Sequence, residues 1–231
     1  ELLEKSALDK NQEESVNTIR QASEKLISIV DDLLNYSKID SGNLGINEIE
    51  YEFPKLLEEA ENYMMEQLDG KNIDFEVNVG SEIPKKLYGD YEKVYTILKN
   101  ILSNASKFTE KGKIILDISF NVFAENNIKI IFKVRDTGIG IKPADMKKLF
   151  KSFSQVDDKT NRKAQGTGIG LALSKQLANL LNGDIEVESE YGFGSSFEIN
   201  ILQKYLELEK LPDEREVINY KVYLYTEEYD L

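Results

Sequence analysis

Three groups of residues in this chain have the types and spacing to handle a phosphorylated ligand. The first is Gly166-Thr167-Gly168-Ile169-Gly170-Leu171, where three glycines at alternate positions run into a helical pattern with Leu171, Ser174, Leu177, Ala178 and Leu181 on one face. Such a turn offers an anion, usually phosphate, free backbone N–H groups and the positive end of the helix dipole. It is not a Walker loop, since no Lys-Ser/Thr follows the last glycine, nor a dinucleotide fingerprint, since no clear strand leads into it. Taken alone it reads equally as a flexible turn. The second group is Asn100, Asn104 and Lys107, whose spacings of four and three place them on one helix face. Amide oxygens suit Mg²⁺, which keeps several waters and shares phosphate oxygens, and the ammonium adds positive charge. The bland alternative is a solvated helix face. The third group is Asp136-Thr137-Gly138-Ile139-Gly140, after a strong strand pattern. Two glycines let a flat ligand approach the backbone, and an ionised Asp accepts hydrogen bonds only, as the exocyclic amine of adenine requires. The alternative there is an Asx-capped turn.

The elements that must position these groups are legible in order. Residues 15–38 read as one long helix in which Ile19, Leu26 and Leu33, with Ala22, Ile29 and Tyr36, form an a/d heptad seam. That is the pattern of a coiled coil or helical bundle, with a surface helix on a globular body as the alternative. Glu1 to Leu8 read as the last turns of a partner helix, and Asp9 to Gln12 as the connecting loop. Ser41-Gly42-Asn43 marks a domain boundary. A strand over 46–53, a helix from Pro54 to Leu68 and a strand over 73–79 follow. Then come a helix from Tyr91 to Ser106, two alternating strands over 114–120 and 128–134, and a short helix from Pro143 to Phe150. After the polar stretch Ser154–Gln165, the glycine-led helix runs to Leu181, and strands near 185–187 and 196–202 close the set. The sum is α+β: a two-layer α/β sandwich with helices on one face of a largely antiparallel sheet, preceded by a helical-bundle or coiled-coil segment. The domain boundaries are 1–45, 46–203 and 204–231. Tyr220 to Tyr225 reads as one more strand, at the edge of the same sheet or opening a new domain.

Composition narrows the chemistry. With 41% hydrophobic and 31% charged residues the chain is globular rather than disordered, and no apolar run is long enough to span a membrane. A net charge of −13 argues against nucleic acid as a partner and leaves a polyanion to be held by local cations and a metal. Cysteine and histidine are both absent, which excludes disulfides, thiolate metal sites and every His-dependent triad or relay within these residues.

In this order the motifs resemble a known family. Asn100-x-x-x-Asn104-Ala105-x-Lys107-Phe108-Thr109, Asp136-Thr137-Gly138-Ile139-Gly140, Leu149-Phe150-Lys151-Ser152-Phe153 and Gly166-Thr167-Gly168-Ile169-Gly170-Leu171 resemble the N, G1, F and G2 boxes of sensor histidine kinases. Tyr191-Gly192-Phe193-Gly194-Ser195-Ser196-Phe197 resembles the closing glycine–serine–phenylalanine motif, and Leu33 to Gly42 the end of the second dimerisation helix. The resemblance covers about residues 12–202 and implies the Bergerat ATP-binding fold of the GHKL superfamily, with ATP and Mg²⁺ as cofactors. By it, Asp136 binds adenine while Gly138 and Gly140 admit the base. Asn104, helped by Asn100, holds Mg²⁺; Lys107 adds charge; Phe108 stands near the base. Ser154–Gln165 is the lid over ATP, with Arg162 and Lys163 as phosphate contacts and Phe150 and Phe153 at its hinge. Gly166, Thr167, Gly168, Ile169, Gly170 and Leu171 face the phosphates. Gln165 stands where the family often has glycine.

The resemblance implies a protein histidine kinase whose γ-phosphoryl group goes to a histidine and then to a response-regulator aspartate. The acceptor histidine is expected about four helical turns ahead of residue 1. A homodimer through the helical segment, a response regulator or receiver domain as partner, and a cytoplasmic location, in some cases as part of a membrane sensor, follow from the same resemblance. The segment Lys221 to Glu228 resembles the first strand and acidic turn of a receiver domain, as in hybrid kinases. Two other functions compete: a GHKL-type ATPase, and a non-catalytic nucleotide-binding regulatory module. The ATPases use a Glu as general base where this chain has Asn100, a neutral amide that cannot take a proton from water.

Overall fold

A computed structural model describes residues 8–80, 83–124, 126–152, 168–205 and 220–222. The chain divides into two units, Glu1–Leu44 and Gly45–Leu231.

The first unit contains helix α1, Lys10–Asp40. It starts earlier than the heptad pattern indicates. Asp9 is its N-cap, accepting from the Gln12 N–H while the Gln12 side chain accepts from the Asp9 N–H, a capping box. The residues expected as a loop are therefore a helix start, because Asp-x-x-Gln satisfies two orphan donors at once. Ile19, Leu26 and Leu33 of the seam are exposed, as are Ile27, Val30 and Leu34. Glu1–Ala7 lie outside the described residues.

In the second unit the order is β1 (Ile49–Glu52), α2 (Phe53–Leu68), β2 (Asn72–Val79), β3 (Lys86–Gly89), α3 (Tyr91–Phe108), β4 (Lys111–Ala124), β5 (Asn127–Asp136), α4 (Pro143–Met146), α5 (Gly170–Leu180), β6 (Asp184–Glu190), β7 (Gly194–Lys204) and β8 (Tyr220–Val222). The sheet order is β1-β3-β7-β5-β4-β2-β8, with β6 also paired to β7. Every pairing is antiparallel except β2 with β4, which α3 and β3 connect by a crossover.

Alternation decides the layers. Ile114, Leu116 and Ile118 of β4 and Ile128, Ile130, Phe132 and Val134 of β5 point to one face and are buried. Against them pack Leu56, Ala60 and Met64 of α2, Ile97, Leu98, Ile101 and Leu102 of α3, and Leu173 and Leu177 of α5. The intervening strand residues carry ion pairs on the other face: Glu76 with Lys113 (3.2 Å), Asp117 with Arg135 (2.5 Å) and Glu198 with Lys133 (3.4 Å). These pairs are partly open to solvent and contribute about 1 kcal/mol or less each. The two-layer α/β sandwich expected from sequence is the fold observed.

Two local departures have physical causes. β3 has too few residues to display a period. The helix expected over Pro143–Phe150 ends at Met146, after which the chain turns through three-residue bonds such as Lys148 N–H to Asp145 O (2.9 Å) and Lys151 N–H to Lys148 O (3.0 Å). Of the two readings of the Tyr220–Tyr225 stretch, Tyr220–Val222 follows the first: it lies at the sheet edge, antiparallel on β2, opposite Val77, Glu76 and Phe75.

Phe132 is 1% exposed and its ring lies 6.4 Å from that of Phe53, under α2. Phe132→Ala should therefore cost about 3–5 kcal/mol of unfolding free energy, measured by urea denaturation, through lost transfer energy and the cavity left behind.

Candidate functional site

Helix α3 starts on a buried carboxylate. Asp90 is 1% exposed; its Oδ1 accepts from Lys93 N–H (3.2 Å), and its Oδ2 accepts from Asn47 N–H (2.8 Å) and pairs with Lys93 Nζ (2.5 Å). This fixes the near end of the helix that carries Asn100, Asn104 and Lys107. All three are half-buried along one side, while Ile97, Leu98, Ile101 and Leu102 anchor the other. At the far end the Lys107 ammonium lies 4.8 Å from the centre of the Phe108 ring.

The loop after β5 is pressed against that end. Phe108 O accepts from Ile139 N–H (3.1 Å), and a Cβ on Gly138 would stand 2.3 Å from the same oxygen. Asp136 closes β5 opposite Ser195 of β7. Its Oδ1 accepts from Gly138 N–H at 2.9 Å. Burial pushes the carboxyl above the usual aspartate range, and the backbone N–H groups of Gly138 and Ser195 pull it partly back. An acceptor-only group is thus held half-buried between glycines.

The hairpin between β6 and β7 supplies the opposite wall. Gly140, at φ +65°, leaves no room for a Cβ, which would lie 2.0 Å from Glu190 O. Gly192 N–H donates to Ile139 O (2.8 Å). Gly194, at φ +123°, has the same constraint: its Cβ would lie 2.0 Å from Asp136 O. Ser189 Oγ accepts from Ile141 N–H and donates to Gly194 O, both at 2.8 Å. Gly194, Ser195 and Ser189 are positioning residues that sequence reasoning did not assign to the site. The Gly-x-Gly-Ser spacing of the closing motif was the available signal.

Helix α5 completes the arrangement. Gly168 is at φ +71°, Ile169 is buried, and no side chain among the described residues caps the helix. The first helical bond is Leu173 N–H to Ile169 O (2.8 Å), so the N–H groups of Gly170, Leu171 and Ala172 precede it. Asn100 meets this end directly, its Nδ2 donating to Ser174 Oγ (3.2 Å) and to Gly170 O (3.5 Å). Phe150 rests under Lys175 of the same helix, whose Nζ is 5.1 Å from the ring centre, 2.8 Å from Ile185 O and 2.5 Å from Asp184 Oδ1. Phe153, Arg162, Lys163, Gly166, Thr167 and the whole expected lid lie outside the described residues. Among the described residues no cluster of three acidic side chains could hold a metal, and no helix is long and apolar enough to cross a membrane.

Comparison with known proteins identifies this arrangement. Residues 89–205 match the family described as histidine kinase-, DNA gyrase B- and HSP90-like ATPase. The chain belongs to that family. Residues 1–42 match a second one, the His kinase A phospho-acceptor domain, so the histidine-kinase branch is the one represented. Hybrid signal transduction histidine kinase B of Dictyostelium discoideum is 36% identical over 201 residues, covering 87% of this chain and 10% of the relative. Signal transduction histidine-protein kinase BarA of Escherichia coli K12 is 32% identical over 197 residues, 85% of this chain and 22% of the relative. The chain thus spans a small part of the curated relatives it matches. Among solved structures, full-length ShkA in complex with AMPPNP superposes with a TM-score of 0.71 at 27% identity, over 89% of this chain and 42% of that one. Residues 89–205 accordingly carry the catalytic ATP-binding domain of the histidine kinase type.

Two glycines two residues apart in this ATPase domain, Gly192 and Gly194, separate close packing from backbone strain. Gly194→Ala must displace Asp136 and adopt an unfavourable φ, and should cost about 3 kcal/mol or more. Gly192→Ala has φ +92° but nothing within 4 Å of its Cβ, and should cost about 1–2 kcal/mol. Chemical denaturation of both variants checks the difference.

Proposed function

We propose that this chain is the catalytic region of a two-component sensor histidine kinase: it binds ATP with Mg²⁺ and donates the γ-phosphoryl group to a histidine outside these 231 residues, for relay to a response-regulator aspartate. The observation that carries the reading is the Asp136 carboxylate, set at the end of β5 among Gly138, Gly140 and Gly194 and able only to accept hydrogen bonds. An adenine amine is the partner that such a group selects. Gly168–Leu171 at the start of α5 are placed for the phosphates, with Lys107 adding positive charge beside Phe108.

The donor set fits a magnesium ion. Asn100 turns its nitrogen to α5 and keeps its oxygen for another partner. The side chain of Asn104, one turn on, makes no hydrogen bond with the described residues. Neutral oxygens and phosphates suit Mg²⁺ without a protein carboxylate cage. When bound, the ion would neutralise phosphate charge. Transfer rather than hydrolysis is supported by Asn100 itself, since its amide has no basic atom for water. The exposed seam of α1 supports a homodimer through that helix, and the relatives' hybrid architecture supports a receiver domain as partner.

Calorimetry tests the reading. The chain should bind ATP more tightly with Mg²⁺ than without, and Asp136→Asn should weaken binding by about tenfold to a hundredfold, the value of a charge-assisted hydrogen bond of about 1.5–3 kcal/mol. Steady release of inorganic phosphate by the chain would instead favour an ATPase. Acid-labile label retained on this histidine-free chain would overturn the assignment of the acceptor.

A further inference from the structure

Ser174 is an anomaly in its helix. It is 0% exposed, on the buried face of α5 among Leu173, Leu177 and Ala178, where alanine would pack without a polar group to satisfy. Its hydroxyl is used across the helix pair: Oγ accepts from Asn100 Nδ2 at 3.2 Å. The second acceptor at the same nitrogen, Gly170 O at 3.5 Å, removes the usual ambiguity of an amide. A carbonyl oxygen can only accept, so the amide edge facing α5 must be the NH₂ edge. Oδ1 therefore takes the opposite edge of the amide from Ser174, 3.8 Å from where a Cβ on Gly170 would stand. Without Ser174 Oγ, the NH₂ group keeps only the longer contact to Gly170 O, and a half-turn about the last side-chain torsion becomes cheap. That half-turn would present a donor where an oxygen had been.

We propose that Ser174 is a positioning residue for the metal site: it fixes the orientation of the Asn100 amide so that Oδ1 is presented to the divalent cation that accompanies ATP. This inference rests on the ATP–Mg²⁺ reading above. It assigns a metal-dependent role to a buried serine that touches neither nucleotide nor ion. A serine needed only for the fold would affect nucleotide binding with and without metal alike.

The test uses the full 231-residue chain with Mn²⁺ as the probe, its binding to the chain–ATP complex followed by electron paramagnetic resonance, and ATP affinity in EDTA measured separately. Ser174→Ala should weaken Mn²⁺ binding about tenfold while the metal-free ATP affinity moves by less than twofold. Ser174→Thr, which keeps the hydroxyl, should recover most of the loss. In an Asn100→Ala background Ser174→Ala should have no further effect on Mn²⁺, because the group it orients is gone. Unchanged Mn²⁺ affinity in Ser174→Ala, equal losses with and without metal, or full additivity with Asn100→Ala would each overturn the inference while leaving ATP binding intact. Failure of the unsubstituted chain to bind ATP would overturn the reading beneath it as well.

Discussion

The site depends on backbone meeting backbone. At Gly138, Gly140 and Gly194 a side chain would lie 2.3, 2.0 and 2.0 Å from the carbonyl oxygens of Phe108, Glu190 and Asp136. Three main-chain segments, the end of α3, the loop after β5 and the hairpin of β6 and β7, are thereby locked at a separation that no Cβ permits. The half-buried Asp136 carboxylate sits where they converge. Its raised pKa is the electrostatic cost of that place, which the N–H groups of Gly138 and Ser195 offset in part.

Charge alone would not draw a polyanion to a chain of net charge −13. What the fold supplies is local: a helix start whose first N–H groups precede its helical bonds, an ammonium over an aromatic ring, and amide oxygens on a helix whose own start is fixed by Asp90. Dipoles held by packing need no counter-charge and lose little on reorganisation. Glu76, Asp117 and Glu198, on the outer face of the sheet, pair with lysine or arginine there.

Much of this was legible in the residues. Alternation over 114–120 and 128–134 identified the central strands, and the helix period of 91–106 put both asparagines and Lys107 on one side. Those signals are local and repeat several times. What escaped depends on a single local feature or on a distant partner. Asp9 and Gln12 form a cap that looks like a polar loop until both hydrogen bonds are drawn. β3 is too short to show a period. Gly194 and Ser189 matter because a strand far along the chain returns to Asp136, and the direction in which Asn100 turns its amide depends on α5, seventy residues later. Pattern reveals faces; it does not reveal which remote backbone a face will meet.

The sheet register also sets an order of assembly. β4 and β5 are joined by a tight turn and align from Ala124 with Asn127 back to Ile114 with Asp136, so they can zip up locally. Pairing of β5 with β7, ending at Asp136 opposite Ser195, closes a loop containing α4, α5 and β6. The entropy of that closure must be overcome before its contacts are gained, as for any pairing distant in sequence. Gly140 and Gly194 meet Glu190 and Asp136 only through it, so this pairing completes the candidate site. During synthesis the close approaches around Asp136 become available only after β7 has emerged.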